Sequence, residues 1–222
     1  MYNEDGSIQV EDGMPVYEAG KEIGDVTPKW LAGFSNEFSY KNLSFGFLLD
    51  FRLGGDIYSV SQAFGMQTGI YAPTAEGNIR EEGVIAGKNY MTDKVFKTAD
   101  GKVNDVAVNP EDFFYNYYTI CEMSVFDGSY LKLREAHITY TFPKSVLSKL
   151  KCVKAAHVSL VGTNLALLWV HKSNIAHIDP ESTSTGGDDP ESSVHGFNSG
   201  VGFESNAYPP SRSFGLKLGV TF

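Results

Sequence analysis

The chain is short of cysteine, of basic residues and of long apolar runs, and each shortage closes off a class of protein. Only two cysteines, Cys121 and Cys152, occur in 222 residues. Neither belongs to a CxxC, so the sequence carries no disulfide framework. Lys and Arg number 18 against 27 Asp and Glu, a net charge of −9. Nucleic acid is therefore excluded as a partner, because phosphate binding needs a concentrated positive field. No apolar stretch approaches the ~18 residues of a membrane helix, and Leu165 to Val170, among the longest, falls far short. The opening Met1-Tyr2-Asn3-Glu4-Asp5-Gly6 lacks the basic and apolar regions of a secretory leader. Taken alone, that predicts a soluble cytoplasmic protein, an inference that lapses if the chain is cut from a longer precursor. Signatures of catalysis are missing too: no G-x-S-x-G, P-loop or supported carboxylate pair is found. No enzymatic activity and no cofactor are expected.

What the chain does have is aromatic residues and glycine, with 15 Phe, 12 Tyr and 23 Gly. That composition favours strands over helices and is not that of a disordered chain. The final stretch is the clearest element. Phe214, Leu216, Leu218, Val220 and Phe222 alternate with Ser213, Gly215, Lys217, Gly219 and Thr221. A period of two puts the two sets on opposite faces of one strand. The same pattern runs through Trp30, Ala32, Phe34, Asn36, Phe38 and Tyr40. After a tight turn at Lys41-Asn42 it restarts as Leu43, Phe45, Phe47, Leu49, Phe51 and Leu53. Two alternating runs with so short a link predict a hairpin.

A third strand is expected from Tyr130 to Phe142. Its apolar parity changes between Leu131, Leu133 and Ala136, Ile138, which predicts a bulge near Glu135. A fourth covers Lys154 to Asn164. Residues 1–29 are turn-rich; Asn3 to Ile8 brushes against a calcium-loop pattern but reads as a β-turn, because Met1 stands where the first acidic ligand is needed. Long excursions at 54–129 and 171–210 interrupt the strands. Within the first, a short helix from Glu111 to Glu122 is expected, with Asn109 as its cap and Pro110 at its first position.

The architecture implied is all-β: about five long strands with short turns at one end and very long loops at the other. Strands of about 11 residues cross a bilayer when tilted. One-sided loops describe an outer-membrane antiparallel β-barrel, with brief periplasmic turns and large outer loops. Five strands cannot close a barrel, since an open edge in lipid leaves backbone groups unpaired. Residues 1–222 are therefore expected to be the C-terminal part of a larger barrel, in contact with outer-membrane lipid. Polar Asp50, Arg52, His137 and Lys217, with Glu37, would face its lumen. A secreted soluble β-rich adhesin or carbohydrate-binding module is the alternative.

The motifs carry a resemblance that spans nearly the whole chain. Ile23-Gly24-Asp25-Val26-Thr27-Pro28-Lys29-Trp30-Leu31-Ala32-Gly33-Phe34-Ser35-Asn36, Phe38-Ser39-Tyr40-Lys41-Asn42, Arg52-Leu53-Gly54-Gly55-Asp56-Ile57 and Asp127-Gly128-Ser129-Tyr130-Leu131-Lys132-Leu133-Arg134-Glu135 are similar to late barrel strands of SusC/RagA-family TonB-dependent transporters. Tyr140-Thr141-Phe142-Pro143, Gly162-Thr163-Asn164-Leu165, Asp179-Pro180-Glu181 and Tyr208-Pro209-Pro210-Ser211-Arg212-Ser213-Phe214-Gly215 follow in the same order. Val26 and Thr27 depart from the family, which usually has an Asn-Pro type turn there. The resemblance implies a 22-stranded barrel whose plug and earlier strands are absent here. It also implies a SusD-like surface lipoprotein as partner, energy from TonB, and import of a glycan or peptide. Phe222 resembles the terminal aromatic signal read by the barrel-assembly machinery. Substrate-binding residues are not identified. Phe113, Phe114, Tyr115, Tyr117 and Tyr118 could stack on sugars or form a structural loop core. His171, His177, Asp179, Glu181, Asp188 and Asp189 are possible ligands, but their spacing fits no metal motif and no metal is expected.

Overall fold

The computed structural model describes residues 1–148, 152–182, 202–205, 208 and 210–222. In chain order its strands are β1 (Ile8–Glu11), β2 (Met14–Pro15), β3 (Trp30–Tyr40), β4 (Leu43–Leu53), β5 (Asp56–Ser59), β6 (Phe96–Lys97) and β7 (Val125–Asp127). There follow β8 (Tyr130–Thr141), β9 (Ala155–Val170), β10 (Phe203–Glu204) and β11 (Ser213–Thr221). The α-helices are α1 (Val60–Gln67), α2 (Ile79–Glu82), α3 (Pro110–Thr119) and α4 (Lys144–Leu147). The chain divides into two compact units. A loop unit comprises Met1–Thr27, Gly54–Gly128 and His171–Tyr208; a sheet unit comprises Pro28–Leu53, Ser129–Val170 and Pro209–Phe222.

The sheet unit is one five-stranded sheet in the order β11-β9-β8-β4-β3, antiparallel at every pairing. Its register aligns the apolar positions in rows across the strands. One row is Phe38, Phe45, Ile138, Leu160 and Leu216; the next is Tyr40, Leu43, Tyr140, Val158 and Leu218. Period-two alternation makes each row a single-faced stripe, and a one-residue slip would send it to the other face. The expected hairpin turn is present: Tyr40 pairs with Leu43, and Lys41 takes a positive φ of 54°. Asn42 ties this turn to the neighbouring strand through its side-chain amide, which donates to the Thr141 carbonyl at 2.8 Å.

The expected bulge falls one residue before Glu135. Leu48 pairs with Glu135 and Leu49 with Leu133, so Arg134 is the extra residue on β8. The offset resets parity and returns Leu131 and Leu133 to the face of Ala136 and Ile138. Strand β9 answers with its own irregularity at the same level: Thr163 pairs with Glu135 and Ala166 with Leu133. Asn164 there adopts φ 52°, a conformation that Asn tolerates better than most residues. This break explains why the alternation of β9 is readable only to Asn164 although the strand continues to Val170.

Trp30, Leu53, Tyr130 and Val170 lie at one rim of the sheet, and Tyr40, Leu43, Thr141 and Ala155 at the other. All long connections leave the first rim. Strands β3 and β11 form the two edges, and neither pairs with a further strand among the described residues.

The loop unit has a core of its own, to which the sequence pointed only through the aromatic run at 113–118. Met66, Met91, Phe96, Phe113 and Tyr117 are fully buried there. Two small sheets, β2-β1-β6 and β10-β5-β7, frame α1 and α3. Helix α3 starts as expected: Asn109 Oδ1 accepts from the Glu111 amide at 2.8 Å, with Pro110 next in line. It ends at Thr119, short of the expected Glu122. The turn after Asn3 is also as expected, the Gly6 amide donating to the Asn3 carbonyl with Gly6 at φ 81°. Helix α1 was not read from the sequence. Its signal is Ser59, whose hydroxyl accepts from the Gln62 amide as an N-cap, but Gly65 inside the helix weakens the pattern.

Candidate functional site

The face of the sheet opposite the apolar rows is polar, and the register again decides which side chains share it. Ser39, Ser44, Thr139, Ser159 and Lys217 form a row across all five strands. Within it, Thr139 Oγ1 and Ser159 Oγ are hydrogen-bonded at 2.8 Å. The neighbouring row is Glu37, Gly46, His137, Val161 and Gly215. Two glycines on this face make room for imidazoles. The His137 ring lies where a Cβ on Gly46 would be, at 2.4 Å, and the His157 ring does the same to Gly219 at 2.1 Å.

At the level of the aligned bulges the charged groups converge. Arg134 pairs with Asp50 across strands and donates to Asn164 Oδ1 at 3.2 Å. The Tyr130 hydroxyl reaches the same Asp50 carboxylate at 3.4 Å. Because Arg134 is the bulged residue, its side chain is free of strict alternation and reaches both neighbouring strands. Bulges commonly re-aim a side chain in this way. His137 Nδ1 lies 3.5 Å from Glu135 Oε1.

The four polar residues singled out from the sequence, Asp50, Arg52, His137 and Lys217, all lie on this face. The structure joins Asp50 to Arg134 and Tyr130, and Arg134 in turn to Asn164, contacts that sequence alternation could not reveal. Phe222 follows β11 at the short-turn rim and is exposed; Lys154 Nζ donates to its carbonyl oxygen at 3.0 Å.

In the loop unit, the aromatic segment resolves largely into core. Phe113, Phe114 and Tyr117 are buried, leaving Tyr115 exposed and Tyr118 half-buried. A stacking platform made of all five is thereby ruled out. Two open hollows meet at Asn109. One, of about 640 Å³, is lined by Gln67, Thr68, Thr74, Arg80, Glu111 and Phe114 among others. The other, of about 500 Å³, is lined by Met14, Val108, Asn109, Asp112, Tyr115 and Asn116.

Two of the possible metal ligands are put to other uses. His171 Nδ1 is 2.8 Å from Ser173 Oγ, and Asp179 Oδ1 accepts from the Glu181 amide at 3.0 Å. Asp188, Asp189 and His195, with Gly186 and Gly187, lie outside the described residues. Among the described residues no group of three or more His, Cys, Asp or Glu could hold a metal ion, and no helix is long and apolar enough to cross a membrane. Asp93 is the carboxylate that ties two lysines together in this unit. It bridges Lys172 and Lys88, and hydrogen bonds from these ammonium groups hold its pKa down at about 2.

No family model matches the chain. It is 28% identical, over 99% of its length, to TonB-dependent receptor P26 of Formosa agariphila. A second relative from the same organism, TonB-dependent receptor P3, is 25% identical over 91% of the chain. The chain spans only 19% and 17% of the length of these relatives. Among solved structures, the RagAB peptide importer in its closed-closed state aligns with the whole chain at a TM-score of 0.54 and 19% identity, covering 20% of that chain. The RagAB peptide transporter aligns with 94% of it at a TM-score of 0.51 and 18% identity, covering 19% of that chain. These structural likenesses are likenesses of fold: a fragment of a transmembrane antiparallel barrel.

Proposed function

We propose that the chain is part of a SusC/RagA-type TonB-dependent transporter, carries strands of its barrel, and serves to import a nutrient across the outer membrane; its 28% identity to a TonB-dependent receptor supports the reading. The nutrient is a glycan or a peptide, taken up with a SusD-like surface lipoprotein and with energy delivered through TonB. Residues 1–222 supply late strands of the barrel. The apolar rows face lipid, and Asp50, Arg52, His137 and Lys217 face the lumen. The rim with long loops is the outer one, and the rim with Lys41-Asn42 the periplasmic one.

One observation carries the reading. Five antiparallel strands present rows of large apolar side chains that stay exposed among the described residues. Phe214, Leu216 and Leu218 are 72%, 75% and 67% exposed. A soluble sandwich or carbohydrate-binding module would bury these residues between two sheets. Lipid is the environment in which such a face is satisfied.

The test is genetic. A strain lacking the full-length receptor should fail to grow on one glycan or peptide source, and regain growth only when both receptor and TonB are present. Unchanged growth of the deletion strain on every source the parent uses rejects import as the function.

A further inference from the structure

The charges of the chain are sorted between its two units. The loop unit holds 24 of the 27 acidic residues and 7 of the 18 basic ones, a net charge of −17. The sheet unit holds the other 3 acids and 11 bases, a net charge of +8. An overall charge of −9 hides this division. A field of one sign across a surface unit raises the local concentration of the opposite charge and repels its own.

The pairing inside the loop unit sharpens the imbalance. Every one of its seven basic side chains is already engaged within the unit. Lys21 pairs with Glu18, Lys88 and Lys172 with Asp93, Lys94 with Glu122, Lys97 with Asp5 and Lys102 with Asp100. Arg80 spends Nε and Nη2 on the carbonyls of Thr74 and Gly69, at 3.0 and 2.6 Å. Meanwhile Glu4, Glu11, Glu76, Glu81, Asp105 and Glu111 are exposed and make no ion pair among the described residues. The cations are thus locally neutralised, and an excess of carboxylates is left to face whatever approaches.

We infer that the loop unit is an electrostatic selector, one that draws in basic, Lys- or Arg-bearing peptides and turns away anionic glycans and acidic peptides. The inference rests on the proposed import function and narrows its substrate class. The field of the whole unit is responsible, not one acidic site. Its action must therefore weaken with salt, since the screening length shrinks from about 10 Å at 0.1 M to about 3 Å at 1 M.

The experiment uses the full-length receptor in detergent and labelled octalysine, octaglutamate and a sulfated oligosaccharide as probes. Octalysine should bind, and its affinity should fall at least tenfold between about 0.05 and 0.3 M salt, the range over which screening takes hold. A variant carrying E76Q, E81Q, D105N and E111Q should bind it several-fold more weakly. These side chains make no ion pair among the described residues, so circular dichroism and barrel migration on gels should not change. Octaglutamate and the sulfated sugar should not bind in either protein. Binding of the two anionic probes as tight as that of octalysine overturns the inference, as does an unaltered octalysine affinity in the variant. Preferential binding of lipopolysaccharide bridged by magnesium, with octalysine unable to compete, overturns it as well. Uptake that is independent of TonB would remove the import reading but leave this binding result standing; a receptor that imports without charge preference removes only the inference.

Discussion

Asp93 shows how much a single residue can organise in the loop unit. Its left-handed backbone, at φ 58°, and its carboxylate together hold the turn at residues 88–94 against Lys172, 79 positions away. The pKa of Asp93 is depressed from 3.8 to about 2, so its carboxylate contributes stability that is complete above about pH 4. That contribution is lost as pH falls toward about 2, when the carboxylate gains its proton and lets both lysines go. The prediction is a step in amide protection at Asn174, whose N–H donates to His171 at 3.0 Å beside the latch, over that pH window. Corrected for intrinsic exchange rates, the step should vanish in Asp93→Asn. An identical step in both proteins would show that another group is titrating. Because the residue is exposed, screening keeps the effect local.

At the scale of the element, β8 and β9 are the informative strands. A strand that alternates throughout states its two faces outright, as β4 and β11 do. Strand β8 does not, because the extra Arg134 shifts Leu131 and Leu133 by one position; only the pairing partners restore the stripe. The faces can be tested by placing one charge on each. Leu160 lies in the central apolar row, and Val161, the next residue, points to the polar face beside His137. Leu160→Arg should destabilise the assembled barrel by about 2–4 kcal/mol, the cost of an arginine near the bilayer midplane. On the proposed reading, in which the polar face lines a wet lumen, Val161→Arg should cost far less. Folded and unfolded barrels migrate differently on unheated gels, which gives the readout. Equal losses at the two positions would mean that the assignment of faces is wrong.

The chain is two units of opposite net charge. The loop unit satisfies its apolar residues internally, around Phe96, Phe113 and Tyr117. The sheet unit does not, and its two edge strands pair with no further strand among the described residues. Expressed alone in aqueous buffer, the 222-residue chain should therefore associate. In detergent micelles it should give a β-type circular dichroism spectrum. A sharp monomeric boundary in sedimentation without detergent would contradict the lipid-facing stripe. The edges make the same point in other terms, since a sheet with both sides unpaired needs neighbouring strands before it can sit in a bilayer.

Much of the sheet was legible in the sequence because period-two alternation is a local property. Trp30 to Leu53 and Ser213 to Phe222 declare strand, face and length through their own residues, and Lys41-Asn42 and Asn109-Pro110 declare a turn and a cap by local backbone chemistry. The core of the loop unit was not legible. Ile8, Met66, Phe96 and Phe113 come from segments too short to show a period, and their burial depends on partners dozens of residues away. The fate of the aromatic run was open for the same reason: a Phe that stacks on a ligand and a Phe that fills a core look alike until the neighbours are in place. Alternation alone put Asp50, Arg52, His137 and Lys217 on polar faces, strand by strand. Only the register, which is set by hydrogen bonds between distant strands and reset by the bulge at Arg134, decided that these four faces are one.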